Sequence, residues 1–171
     1  FTCSFLIYTK ISMRVKHNKY IQSFNNFNGK LNNDILIKQE EKTEETYNFI
    51  KQYLDVMEFD SYINNNNLYQ VVVRYVDSII GIRIFKMENG KIHLNYSAVS
   101  PKERNKGLNK RMLDEIENIA HLNNVNVITS NVRESNISSL KSLIGSGFQI
   151  NNNYNLKYPD GEKKIPLFKK L

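Results

Sequence analysis

The chain is 171 residues long, 40% apolar and 24% charged, with a net charge of +7. That length suits one domain with a full core plus an appendage. Every apolar run is far shorter than the ~20 residues a membrane helix requires, and Phe5-Leu6-Ile7-Tyr8 is too short for the core of a signal peptide. Cys3, the only cysteine, excludes an intrachain disulfide and leads to the expectation of a reducing, cytoplasmic setting. The lysine excess favours a phosphate-bearing partner: nucleic acid, an anionic membrane or a polyphosphate cofactor.

Residues 1–30 carry neither the helical nor the strand period, open on Phe1 and reach a first methionine at Met13. They are expected to be an N-terminal extension, disordered in part or vector-derived, ahead of a domain over 31–171. Ile35 to Lys38 reads as a short strand. Thr43 is placed as a helix N-cap, with Glu44 and Glu45 in the first turn where the dipole favours negative charge. Tyr47, Ile50, Leu54 and Met57 follow at helical spacing, and the helical region ends at the asparagine tract 64–67. Leu68 to Val76, Ile79 to Met87 and Lys91 to Val99 read as three strands joined by turns at Asp77-Ser78 and Glu88-Asn89-Gly90, an antiparallel meander.

Pro101 ends the meander, and Leu108, Met112, Ile116 and Ile119 mark a helix. Val125 to Val132 is a buried-type strand. Ser135 and Asn136 open another helix, closed by Gly145 and Gly147. Phe148 to Ile150 starts a strand, and Tyr154 to Tyr158 with Lys164 to Phe168 forms a C-terminal hairpin around Pro159-Asp160-Gly161-Glu162. The order β-αα-β-β-β-α-β-α-β-β contains two strand–helix–strand crossovers, over 91–132 and 125–150, which imply some parallel pairing. The expected fold class is therefore mixed α/β: one twisted sheet flanked by helices.

The segment most suited to chemistry joins the third meander strand to the following helix, from Val99 to Lys110. Gly107 lets the backbone approach a ligand closely. The amides from Lys106 through Leu108 to Asn109 lie at a helix N-terminus, where they can receive a pyrophosphate. Lys102, Arg104, Lys106, Lys110 and Arg111 surround them with positive charge.

Arg104-x-x-Gly107-x-Asn109, after Val99-x-Pro101, resembles the acetyl-CoA-binding motif of the GNAT family of N-acetyltransferases, Gln/Arg-x-x-Gly-x-Gly/Ala after a strand ending Val-x-Pro. Downstream, Asn131-Val132-Arg133-Glu134-Ser135-Asn136, then Ser139, then Gly147-Phe148, is similar to that family's Glu-Val-Arg-x-Ser-Asn…Ala…Gly-Phe segment, most of all in the branch that acetylates protein N-termini and small amines. The resemblance covers about residues 34–171 and implies the GNAT acyl-CoA N-acyltransferase fold. It implies that the strands ending at Val99 and Asn131 splay apart, and that backbone groups near Ala98 and Val99 pair with the pantetheine arm of acetyl-CoA. The loop Arg104, Asn105, Lys106, Gly107, Leu108, Asn109 and Lys110 would hold the pyrophosphate. Asn131 lies at the cleft, Asn136 would touch the cofactor near the pantetheine, and Ser139 would let its helix pack close.

Three positions depart from the family pattern. The thiolate-protonating Tyr falls at Leu143, the Glu often used as base falls at Asn131, and the last small motif residue is Asn109. His93, on the strand leading to Val99, stands where other branches carry a Glu and is the candidate base; an imidazole titrates near 6.5. Tyr96 and Tyr154 are candidate hydroxyl donors. The function expected is transfer of an acetyl group from acetyl-CoA to a primary amine of a small molecule or a protein. A degenerate acyl-CoA-binding protein and a basic nucleic-acid-binding module are the alternatives. The sequence contains no nucleic-acid reader motif, and no metal or membrane partner is expected. The protein is expected to be a monomer or homodimer.

Overall fold

The computed structural model describes residues 35–55, 57–152 and 154–171; the expected extension over 1–30 lies outside the described residues. The meander forms as its turn residues dictate. Strand β1 (Ile35–Glu40) pairs antiparallel with β2 (Leu68–Tyr75), β2 with β3 (Ser78–Glu88), and β3 with β4 (Lys91–Val99). Asn89 and Gly90 both take positive φ (51° and 68°). That is the pair of conformations a two-residue hairpin loop needs to match the strand twist.

Two helices cover one face of the sheet. Helix α1 (Glu44–Lys51) starts on Thr43, whose Oγ1 accepts from the Thr46 amide at 3.2 Å while Thr46 Oγ1 accepts from the Thr43 amide at 2.9 Å. The spacing that extended this helix through Leu54 and Met57 overreaches. The amides of Tyr53 and Leu54 both return to Ile50 O at 3.1 Å and close the helix in a tight last turn. Leu54 and Met57 still pack on the same apolar cluster, from the loop before the short helix α2 (Phe59–Ile63). A buried polar chain fixes both helices to β2. Thr46 Oγ1 lies 2.9 Å from the Tyr62 hydroxyl, which donates to Gln70 Oε1, and Gln70 Nε2 donates to Glu41 O at 2.7 Å. Fully paired, such a chain specifies one packing of its elements.

The opposite face carries α3 (Leu108–Leu122) and α4 (Ile137–Gly145). The stripe expected from the sequence is buried: Leu108, Met112, Leu113, Ile116, Ile119 and Ala120 meet Val71, Val73, Phe85, Ile92 and Leu94. Full burial of each larger side chain contributes about 1.5–3 kcal/mol. Helix α3 ends where Asn124 turns left-handed (φ 55°) and the Val125 amide returns to Ala120 O at 2.9 Å.

The second half of the sheet differs from expectation in one respect. Strand β5 (Val127–Arg133) pairs parallel with β4, but β6 (Gln149–Ile150), the far end of the second crossover, does not touch β5. The long last strand β8 (Lys163–Lys170) inserts between them, antiparallel to both. It carries the short β7 (Leu156–Lys157) as its hairpin partner. The sheet order is β1-β2-β3-β4-β5-β8-β6, and β4–β5 is its one parallel pair among the described residues. Leu167 and Ile165 place apolar side chains on the α3–α4 core. A two-residue strand has too little to bury to hold that central position.

Candidate active site

Strands β4 and β5 pair only where Ile92, His93 and Leu94 meet Ile128, Thr129 and Ser130. At the next residue the β3–β4 register slips. Phe85 faces Leu94 and Ile84 faces Tyr96, so Asn95 has no partner on β3. An extra residue of this kind bends its strand and increases the twist. Strand β5 runs on along β8 alone, and a cleft of about 590 Å³ opens beyond this point.

The ladder decides which backbone groups face that cleft. The Ser100 amide donates to Ile80 O at 2.9 Å. By the alternation of an antiparallel pair, Ala98 exchanges its bonds with Ile82, while Ser97 and Val99 turn theirs away from β3. The backbone of Ala98 is therefore committed to the sheet, and the cleft-facing groups belong to its neighbours. Val99 O accepts from Arg104 Nε at 3.2 Å, which folds the connecting loop against the strand end.

That loop continues through a 3₁₀ turn (Pro101–Glu103) to α3, with Asn105 and Gly107 both left-handed (φ 62° and 75°). No side chain caps α3, and its first backbone bond is Arg111 N to Gly107 O at 3.1 Å. The amides of Leu108, Asn109 and Lys110 thus have no acceptor among the described residues and form the positive end of a four-turn dipole. The Asn109 side chain turns inward, where its Oδ1 accepts from Ser97 Oγ at 2.7 Å. Across the cleft, Asn136 caps α4 by accepting the Ser139 amide at 3.1 Å, and both residues line the cavity.

The other face of the splay has different chemistry. His93 Nδ1 lies 2.9 Å from Thr129 Oγ1, and that hydroxyl donates to Ile92 O at 3.2 Å. A hydroxyl has one proton; when Ile92 O takes it, Nδ1–H is the donor in the first contact and Nε2 carries the lone pair. Burial lowers the imidazole below its ordinary pKa, and the Lys86 and Lys164 ammonium groups lower it further. Next to it the Tyr158 hydroxyl donates to Asn131 O at 3.3 Å, and burial raises its pKa. Arg133 stacks on the Tyr158 ring at 4.2 Å and bonds Asp160 and Glu162 at 2.6 and 2.7 Å. Glu162 in turn accepts from the Ser135 amide at 3.1 Å, so the C-terminal turn is fastened to the start of α4.

A model of the acetyltransferase (GNAT) family matches residues 34–145. The chain belongs to the GNAT acetyltransferase family. Its fold is shared with the alanine N-acetyltransferase of a ribosomal protein from Escherichia coli (19% identity, TM-score 0.65, covering 80% of this chain and 93% of that one). It is shared also with an acetyltransferase from Bacillus subtilis in complex with CoA (16%, TM-score 0.65, 80% and 99%). A third is a GNAT family acetyltransferase from Elizabethkingia anophelis with acetyl-CoA bound (18%, TM-score 0.65, 81% and 99%). No protein of curated function matches the sequence.

Within this GNAT domain the residues expected at the site are distributed unevenly. His93, Asn109, Asn131, Asn136 and Ser139 line the cleft. Arg104, Asn105, Lys106, Gly107 and Lys110 are exposed and do not line it, and Leu108 is buried. Lys106 and Lys110 are held by Glu103 and Asp114, each at 3.0 Å. Tyr154 is 56% exposed and does not line the cleft. Tyr96 does line it, and Tyr158 joins it because β7 starts two residues beyond Tyr154 and carries Tyr158 back over β5. Ser142 also lines the cavity. Thr129 and Arg83 were not singled out from the sequence. Arg83 had one signal, a charged residue in the apolar run Ile82-Arg83-Ile84-Phe85. Its guanidinium is buried and lowered to about 10 by that burial, which leaves it charged at neutral pH.

Proposed function

We propose that this protein is an N-acetyltransferase that moves an acetyl group from acetyl-CoA to a primary amine of a small molecule or a protein. The observation that carries the reading is the division of one cleft between two faces: the uncapped α3 N-terminus on one side, and the His93–Thr129 pair on the other. The residues fit the donor. Free amides at Leu108–Lys110 suit a pyrophosphate, and the outward-facing backbone of Ser97 and Val99 suits the amide-bearing pantetheine arm as an added strand. Asn136 and Ser139 flank that arm from α4.

Acetyl-CoA supplies a thioester whose carbonyl carbon accepts the amine nitrogen as the thiol departs. The protein's part is positioning and proton transfer. His93 Nε2, the unshared nitrogen, takes the proton from the incoming ammonium or its adduct. Tyr158, held neutral by burial, is the hydroxyl placed to donate a proton within the cleft, where Leu143 stands at the family's tyrosine position. The acceptor enters from the face bearing Leu54, His93 and the C-terminal hairpin, opposite α3.

A thiol-release assay with acetyl-CoA over a panel of primary amines and N-terminal peptides tests the reading. Amine-dependent release is the expected result. Tight acetyl-CoA binding with no release under any amine is the result that favours the degenerate acyl-CoA-binding alternative. Retention of an oligonucleotide in place of acetyl-CoA favours the nucleic-acid alternative.

A further inference from the structure

We propose that Arg83 is the floor of an anion subsite in the cleft, taking an oxyacid group of the acyl-thioester donor. The inference rests on the reading of the cleft as an acyl-CoA site. Strand β3 places Ile82 and Ile84 in the α1–α2 core, so Arg83 projects to the other face, the face of α3. It is 7% exposed and lines the cleft. Its Nε and Nη1 are buried with no acceptor among the described residues.

A buried guanidinium without a partner is costly to desolvate and is retained when an anion compensates it. The described residues do not supply one. Among them the only acid lining the cleft is Asp55, from the α1–α2 loop on the opposite face, and the other charged residues there are Arg133 and Lys164. Arg83 is the cross-strand partner of Ser97. The Ser97–Asn109 bond occupies Asn109 Oδ1 and leaves Asn109 Nδ2 as a second donor on the wall of the same cleft. The donors thus converge from β3 and the first turn of α3, on the side assigned to the thioester. The matching group is a carboxylate at the end of a dicarboxylic acyl group, since the phosphate of the phosphopantetheine arm is half of the pyrophosphate assigned to the Leu108–Lys110 amides.

The experiment is calorimetric binding of acetyl-pantetheine, acetyl-phosphopantetheine, acetyl-CoA and succinyl-CoA to the full chain and to Arg83→Gln and Arg83→Met. Both variants are expected to lose tenfold or more for succinyl-CoA alone. A loss of that size that extends to acetyl-phosphopantetheine and acetyl-CoA would make Arg83 a part of the pyrophosphate site and overturn the proposal. Equal losses for all four ligands, or none, overturn the proposal. Melting of the ligand-free chain guards against a folding artefact. Arg83→Met is expected to melt at or above the wild type, since it removes an uncompensated charge. A variant that melts far lower and binds every ligand poorly marks Arg83 as structural and overturns the subsite. Failure of the wild type to bind any of the four counts instead against the acyl-CoA reading itself.

Discussion

His93 and Thr129 face each other on the last stretch of β4–β5 pairing before the strands part, with Nδ1 2.9 Å from Oγ1. When Thr129 gives its proton to Ile92 O, the pair holds the tautomer that leaves Nε2 as the basic nitrogen. His93→Gln is expected to lower kcat/KM roughly a hundredfold, within the usual range for general base catalysis, with acetyl-CoA affinity unchanged. Thr129→Val, which frees the tautomer, should lower kcat less and leave KM for acetyl-CoA alone. Full activity in His93→Gln would move the chemistry to positioning and ordered water.

The pH dependence follows from the direction of the His93 shift. The folded pKa lies below the unfolded value of about 6.5 because burial and two lysines disfavour the cation. The neutral base is therefore retained below 6.5, and kcat/KM should fall on an acid limb at lower pH than a free imidazole gives. The linked stability has the same sign. It is present above about 6.5 and lost as pH falls through the folded pKa, where the unfolded state binds the extra proton first. Melting curves of His93→Gln between neutral pH and pH 5 should lack that component.

Gly107 tests the phosphate loop. Its φ of 75° is left-handed, and a Cβ built there meets nothing within 4 Å. Gly107→Ala should therefore cost only the backbone penalty of about 1–2 kcal/mol. Gly107→Pro cannot take that φ and also removes an amide. Acetyl-CoA at about a hundred times its Kd stabilises by roughly 2.7 kcal/mol. That melting shift should survive in the alanine variant once its own lower baseline is subtracted and vanish in the proline variant. An undiminished shift in Gly107→Pro would place the cofactor elsewhere.

Tyr158 and the turn behind it separate proton donation from acceptor choice. Tyr158→Phe removes the hydroxyl but keeps the ring under Arg133, and is expected to lower kcat with little change in either KM. Exchanging Pro159-Asp160-Gly161 while keeping Glu162, which holds Ser135, should alter acceptor preference in steady-state kinetics more than acetyl-CoA affinity. A larger effect on acetyl-CoA would reverse the assignment of faces.

Leu143→Tyr restores the family's hydroxyl at its usual position. Leu143 is 5% exposed and belongs to the α3–α4 core, so the larger ring should destabilise by about 1–3 kcal/mol through overpacking. The measurement is the melting temperature, with thiol release assayed alongside. A variant as stable as the wild type would show that this corner of the cleft has room for a phenol.

Much of this protein was legible in its residues. The stripe from Leu108 to Ile119, the Thr43 cap and the Asn89-Gly90 turn are local devices, and each acts through neighbours within four or five positions. The Arg104–Asn109 motif, being a loop followed by a helix, was legible for the same reason. Other features depend on partners far along the chain. The sequence does not reveal that Asn95 is the unpaired residue, because a bulge exists only relative to the strand beside it. Nor does it reveal that β8 separates β5 from β6, since competing strands differ in how much they bury. Tyr158 rather than Tyr154 reaches the cleft because the hairpin's register with β8 fixes which residue folds back over Asn131. Arg83 is a positive charge in a strand when read from the sequence. Only packing on both sides of β3 turns it into a buried donor without a partner, because burial is a property of the assembled layers and not of any one of them.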